Sequence, residues 1–238
     1  MDKKKVINVF RKKIYLSLLI ALLLLSVVVA ILTRTSYAIA DVSLGNILEN
    51  EEQILVQLNE DSHYLSIYFN NELSNFTQLR DQSDIIVKVK VTNERQNYMN
   101  ALLSGVKVTE IYKGNGIKKG DRIYIYEPSC FNRGVYTGIG GYNIMLENDE
   151  YILFLKHLTI PKGYKYKNNE AITFLPVSSY FAKYPLISNE VTQTLVENAE
   201  IKYNKIKDFE ILTTNKDILA LYQSLKNEVL QIKAVSPK

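Results

Sequence analysis

The sequence predicts a mainly β protein with flanking helices (α+β). It is a small OB-like β-barrel preceded by a transmembrane or signal helix and followed by C-terminal helices. Three observations carry this. An uncharged apolar run fills residues 14–33, strand-like segments with turns between them fill residues 84–156, and helical periodicity fills the end of the chain. The implied organisation is a cytoplasmic basic tip at 1–13, the apolar helix at 14–33, a stalk with helical segments at 34–80, the barrel at 81–187 and C-terminal helices at 188–238.

The chain has 238 residues, 47% of them hydrophobic and 23% charged. That is too apolar for a disordered chain and too charged for a multi-span membrane protein. The net charge of +4 is unevenly spread. Residues 1–40 hold seven basic side chains and one acid, so residues 41–238 carry a net charge of −2. The main electrostatic argument for nucleic-acid binding is therefore missing, and none is expected.

The N-terminal run reads IYLSLLIALLLLSVVVAILT and follows MDKKKVINVFRKK. Twenty helical residues span about 30 Å, the thickness of a hydrocarbon core. Lys3, Lys4, Lys5, Arg11, Lys12 and Lys13 precede the run, and only Arg34 is charged between it and Asp41. The positive-inside rule then keeps the N-terminus in the cytoplasm and places the rest outside, as a single-pass cell-membrane protein. Ala38-Ile39-Ala40 matches a signal-peptidase site, so secretion after cleavage at Ala40 is the alternative. The run is longer than an ordinary signal core and favours a retained anchor.

Outside the membrane, Ile47, Leu48, Ile54, Leu55 and Leu58 oppose Glu49, Glu51 and Glu52, which reads as an amphipathic helix. His63 to Phe69 suits helix or strand, and Asn70 to Arg80 reads as a short helix. Five strands follow. Val87 to Val91 alternates apolar and basic residues, and Leu103 to Tyr112 is again strand-like. A turn holding Gly114, Gly116 and Gly120 leads to Arg122–Glu127. Gly134 to Gly141 reads as a glycine-rich loop, Tyr142 to Leu146 as a short strand, and Tyr151 to Leu155 as a buried one. Such spacing argues for a small barrel.

ITFLPVS and the Tyr184-Pro185 region add edge strands, with Pro176 kept at an edge because it cannot donate to a ladder. Glu190 to Ile206 and a last helix capped at Thr214 close the chain. In the last helix Ile218, Tyr222, Leu225, Val229 and Ile232 form a heptad-like stripe, read as docking on the chain's own domain.

The runs SDIIVKVKV, VKVTEIYKG, KKGDRIYIYE and ENDEYILFL, over residues 76–187, resemble a recurring organisation in exported proteins of Gram-positive bacteria. The same order is similar to the netrin-like domain of tissue inhibitors of metalloproteinases, an OB-type barrel. The anchors of the resemblance are Lys113-Gly114, Gly120-Asp121 and Glu150-Tyr151. It implies fold and location. Inhibition does not carry over, because those inhibitors use disulfides and an N-terminal cysteine, and Cys130 is the one cysteine here.

A single cysteine forms no intramolecular disulfide, and with His63 and His157 it is too few for a structural zinc site. No cofactor motif and no metal-ligand spacing occurs, and Glu147, Asp149 and Glu150 read as a solvated turn. The expected function is a membrane-anchored extracytoplasmic binding module without enzymatic activity. Its partner is a protein or a cell-surface polymer, met through loops 128–141 and 158–170. The expected contact residues are Phe131, Arg133, Tyr136 and Tyr142, with Lys162, Tyr164, Lys165, Tyr166 and Lys167 from the basic-aromatic run KGYKYK. Two alternatives are an exported hydrolase using Cys130 or His157, and an accessory subunit of a membrane complex held through residues 14–33.

Overall fold

The computed structural model describes residues 3–36, 42–59, 62–187 and 200–232. The chain divides into two compact units, Met1–Ile39 and Ala40–Lys238. The first is one helix, α1 (Lys3–Ser36). Its segment Lys12–Thr33 has 22 residues, all exposed, and is long and apolar enough to cross a membrane or to serve as a signal. The Ala38-Ile39-Ala40 cleavage motif lies outside the described residues.

The second unit contains, in chain order, α2 (Leu44–Asn50), β1 (Leu55–Asn59), α3 (Ser62–Tyr68), α4 (Phe76–Gln82), β2 (Ile85–Asn97), β3 (Leu102–Lys113), β4 (Arg122–Glu127), β5 (Ser129–Asn132), β6 (Val135–Ile139), β7 (Glu150–His157), β8 (Thr173–Pro176), β9 (Lys183–Pro185) and α5 (Lys216–Val229). Five strands close a barrel in the order β2-β3-β4-β8-β7, with β7 returning to β2. Every pairing in it is antiparallel except β4 with β8, which is parallel. The fold is therefore mainly β, with an OB-like barrel and flanking helices.

Alternation builds the barrel wall. Val87, Val89 and Val91 point inward with Val106, Val108, Ile123, Ile125, Leu153, Leu155 and Phe174. Each such buried side chain contributes about 1.5–3 kcal/mol of hydrophobic stabilisation. Lys88, between two inward valines, pairs outside with Glu150 at 3.2 Å.

The fifth barrel strand is a correction. Residues 142–146 form no strand, only an isolated bridge between Tyr142 and Ile211. Residues 173–176 take the place instead, with Thr173 and Phe174 paired to β4. Pro176 sits at the end of β8, opposite Leu155, beyond the pairs with β4. A missing N–H costs no ladder bond toward β4 there.

Residues 42–59 and 62–80, within the 34–80 expected as a stalk, are part of the body. Ile47, Ile54, Leu65, Leu73 and Leu79 are buried. The expected helix over 47–58 ends at Asn50, and β1 follows, parallel to β6. The glycine-rich segment 134–141, expected as a loop, holds β6, in a small sheet of order β1-β6-β5. Arg133 (φ 49°) and Gly134 (φ 76°) make the tight β5–β6 turn, whose two central residues both need positive φ.

α4 and α5 cover the outer face of β7 and β9, where Leu79, Phe154, Tyr184, Tyr222, Leu225 and Val229 form one cluster. The α5 stripe thus docks on the chain's own body. Asn215, not Thr214, caps α5, accepting from the N–H groups of Asp217 and Ile218. Most of the expected helix Glu190–Ile206 lies outside the described residues. Its end is a bridge at Lys202 and a 3-10 turn at Tyr203–Lys205.

Candidate functional site

Three of the expected contact residues are core. Tyr136 is fully buried, and its ring lies 4.9 Å from those of Phe131 and Tyr203. Its hydroxyl donates to Asn143 Oδ1 at 2.9 Å. Tyr142 is buried as well. The reason is the small sheet: pairing with β1 pulls segment 129–139 over Leu102, Ile144 and Leu212. Arg133 remains exposed at the hairpin turn. In the second loop Lys162, Tyr164, Lys165 and Lys167 are exposed, while Tyr166 is half-buried and donates to the Leu158 carbonyl at 3.0 Å.

That second loop adjoins an aromatic face. On β4, Ile123 and Ile125 point into the barrel and Tyr124 and Tyr126 point out. Tyr98, at the β2–β3 turn, meets Tyr126 edge-on at 5.9 Å. Beside them a groove of about 130 Å³ is lined by Tyr68, Phe69, Asn100, Ala101, Tyr126, Pro128, Ile139 and Leu175. α3 supplies its first wall, the hairpin tip its second, and β4 with β8 its floor.

The loop is braced within itself. The Tyr164 hydroxyl donates to the Glu170 carboxylate at 2.9 Å, and Glu170 accepts from the Lys167 N–H at 2.7 Å. Lys167 Nζ lies 5.4 Å over the Tyr164 ring. Burial, then Tyr98 and the Glu170 charge, raise the Tyr126 phenol above its ordinary value. The Tyr164–Glu170–Lys167 cluster thus lies within electrostatic reach of Tyr126, a residue that a motif reading does not flag. The available signal was RIYIYE, where two tyrosines alternate with two isoleucines on opposite faces of one strand.

The hydrolase pair does not assemble. Cys130 is 4% exposed on β5, opposite Thr137 of β6. Burial raises its thiol, and a hydrogen bond with Thr137 only partly offsets this. An unactivated buried thiol is a poor nucleophile. His157 stands at the end of β7, 3.1 Å from Asp84 Oδ2 and against the Phe174 ring. No hydrogen bond joins it to Cys130 among the described residues.

A second cleft holds Lys183, which sequence reading missed. The side chain is 4% exposed, and Nζ donates to the Glu210 carbonyl at 3.1 Å. Tyr142 and Tyr151 present their rings at 5.2 and 5.3 Å. Burial lowers the ammonium to about 8, against the opposing pull of Glu127 and Glu210. Asp149, Lys207, Asp208 and Glu210 also line the cleft, whose free volume is about 30 Å³. That holds about one or two waters and no substrate. The groove beside Tyr126 is the roomier of the two, about 130 Å³ against about 30 Å³.

Comparison of the sequence with protein-family models and with curated proteins finds no match.

Proposed function

We propose that this chain is a membrane-anchored, extracytoplasmic binding module. The N-terminal helix is its anchor, the basic tip stays in the cytoplasm, and the barrel meets its partner at the cell surface outside. We also propose the kinship with netrin-like domains and with exported Gram-positive proteins; an OB-like strand order supports it. The observation that carries the reading is the groove of about 130 Å³ walled by Tyr68, Tyr126 and Leu175, with Lys162, Lys165 and Lys167 on the adjoining loop. OB-type barrels commonly bind along this sheet face and its two flanking loops. That support is by analogy of fold. The orientation rests on the six basic residues before the apolar run.

Photo-crosslinking in living cells tests the reading. A photoreactive residue replaces Met99 beside the groove or, in a second chain, Lys119 at the opposite end of β3. Adducts from position 99 and none from position 119 are expected. Equal adducts at both positions, or none at either, contradict the reading.

A further inference from the structure

We infer that the ligand of this face is an anionic lipid surface. The inference rests on the binding reading above and names its ligand.

Three features argue for lipid over glycan or protein. The first is apolar protrusion. Met99 is 76% exposed and Ile67 64%, and both belong to the segments that wall the groove. Isolated exposed apolar residues are ordinary, but a cluster beside an apolar groove marks an interaction site. Aliphatic tips of this kind gain free energy in the interfacial layer of a bilayer. They gain little against the hydroxyl groups of a sugar.

The second is polarity. A glycan site needs polar side chains around its aromatic rings, and of the side chains lining the groove only Asn100 and two tyrosine hydroxyls are polar. The third is charge. Lys162 and Lys165 have no ion pair among the described residues. The neighbouring acid, Glu170, stays charged and is matched electrostatically by Lys167, which leaves Lys162 and Lys165 in excess. An excess of lysines on a loop of the same body as these exposed aliphatic residues matches a negatively charged headgroup layer above hydrocarbon. The same chain carries an apolar helix of membrane-spanning length, which keeps the concentration of this face at a bilayer high.

The test uses the full-length chain in nanodiscs and follows amide hydrogen exchange. Three samples are compared: phosphatidylcholine discs, discs half phosphatidylglycerol, and phosphatidylcholine discs with soluble polyphosphate. Slowed exchange at 97–101 and 159–167 in the phosphatidylglycerol discs alone is expected. The Lys162→Gln, Lys165→Gln, Lys167→Gln variant loses that slowing, about fivefold in docked population per lysine, from about 1 kcal/mol each. Unchanged exchange at 87–91 in that variant shows that its barrel is intact. Equal exchange in both lipids overturns the inference, and so does equal slowing by polyphosphate, which makes the ligand a soluble polyanion. If lipid has no effect while adducts still form at position 99, the lipid assignment falls and the binding reading stands.

Discussion

Lys183 and Tyr142 form a buried cation–π pair, the ammonium 5.2 Å from the centre of the ring. A second ring, Tyr151, stands 5.3 Å away, and the Glu210 carbonyl takes the hydrogen bond. The cage holds a charge that burial disfavours. The site's contribution to stability therefore depends on pH.

The sign follows from linkage. Lys183 titrates near 8 when folded, against 10.5 ordinarily. Between those values the unfolded chain binds a proton that the folded chain lacks, so the site's contribution to stability rises with pH through that window. Lys183→Met removes the dependence. Relative to the parent, the variant loses about 3 kcal/mol of stability between pH 7 and pH 11, since each pKa unit is worth about 1.4 kcal/mol. Urea unfolding of parent and variant across this range measures it. A difference that does not change with pH contradicts the buried ammonium.

Glu127 tests the polar interior of the same region. Its fully buried carboxylate accepts from the Ser104 hydroxyl and from the Met145 N–H at 2.7 Å. Glu127→Leu leaves both donors unpaired and is expected to cost about 2–5 kcal/mol. Glu127→Gln keeps an acceptor and costs less. Thermal unfolding ranks the two, and the reverse order contradicts the assigned bonds.

The turn after β6 demands glycine twice. Gly140 and Gly141 have φ of 59° and 74°. A Cβ on Gly141 would lie 2.0 Å from the Tyr180 ring and 2.4 Å from the Leu212 carbonyl oxygen. Gly141→Ala is expected to destabilise by about 2–4 kcal/mol, from strain and overpacking together. Gly45→Ala, with open space around it, is the control. Equal unfolding midpoints for the two variants contradict the turn.

Leu225 and Val229 anchor α5 to the barrel, both buried in the cluster with Phe154 and Tyr184. Leu225→Ala is expected to cost about 2–5 kcal/mol, as a core cavity does, with no change in oligomeric state. Light scattering of detergent-solubilised chains checks the second half. A variant that dissociates an oligomer while keeping its unfolding midpoint would make the stripe a coiled-coil seam instead.

What was legible in the sequence follows physical lines. Val87, Val89 and Val91 alternate with lysines because one face of β2 is core and the other water, and period two records that directly. Tyr151 to Leu155 shows no alternation because both faces are covered, the inner by the barrel and the outer by α4 and α5. Segments whose fate depends on distant partners were not legible. Leu55 and Leu58 fit a helical stripe, yet pairing with Val135 and Gly138 makes them strand. β8 is short and ends at Pro176, and parallel pairing with β4 alone gives it a central place.

The site divides in the same way. Lys162, Tyr164, Lys165 and Lys167 were readable, since a local basic-aromatic run on a loop stays at the surface. Glycines around Phe131, Tyr136 and Tyr142 suggest a loop, whereas Gly138 lets β6 pack closely and Gly134, Gly140 and Gly141 make the turns that bound it. Tyr68 lines the groove from α3 and Tyr98 meets Tyr126 from the β2–β3 turn, and no local pattern joins either to Tyr126. Lys183 looks like any lysine until β9 is laid on β7.

We propose an anchored barrel that faces outward. Its most direct test is fractionation of cells expressing a C-terminally tagged chain, with external protease added to intact cells. A full-length band of 27.3 kDa, apart from the tag, is expected in the membrane fraction, and the protease is expected to remove it. A band shortened by residues 1–40 in the medium, or a full-length band that the protease spares in intact cells and removes after lysis, would contradict it.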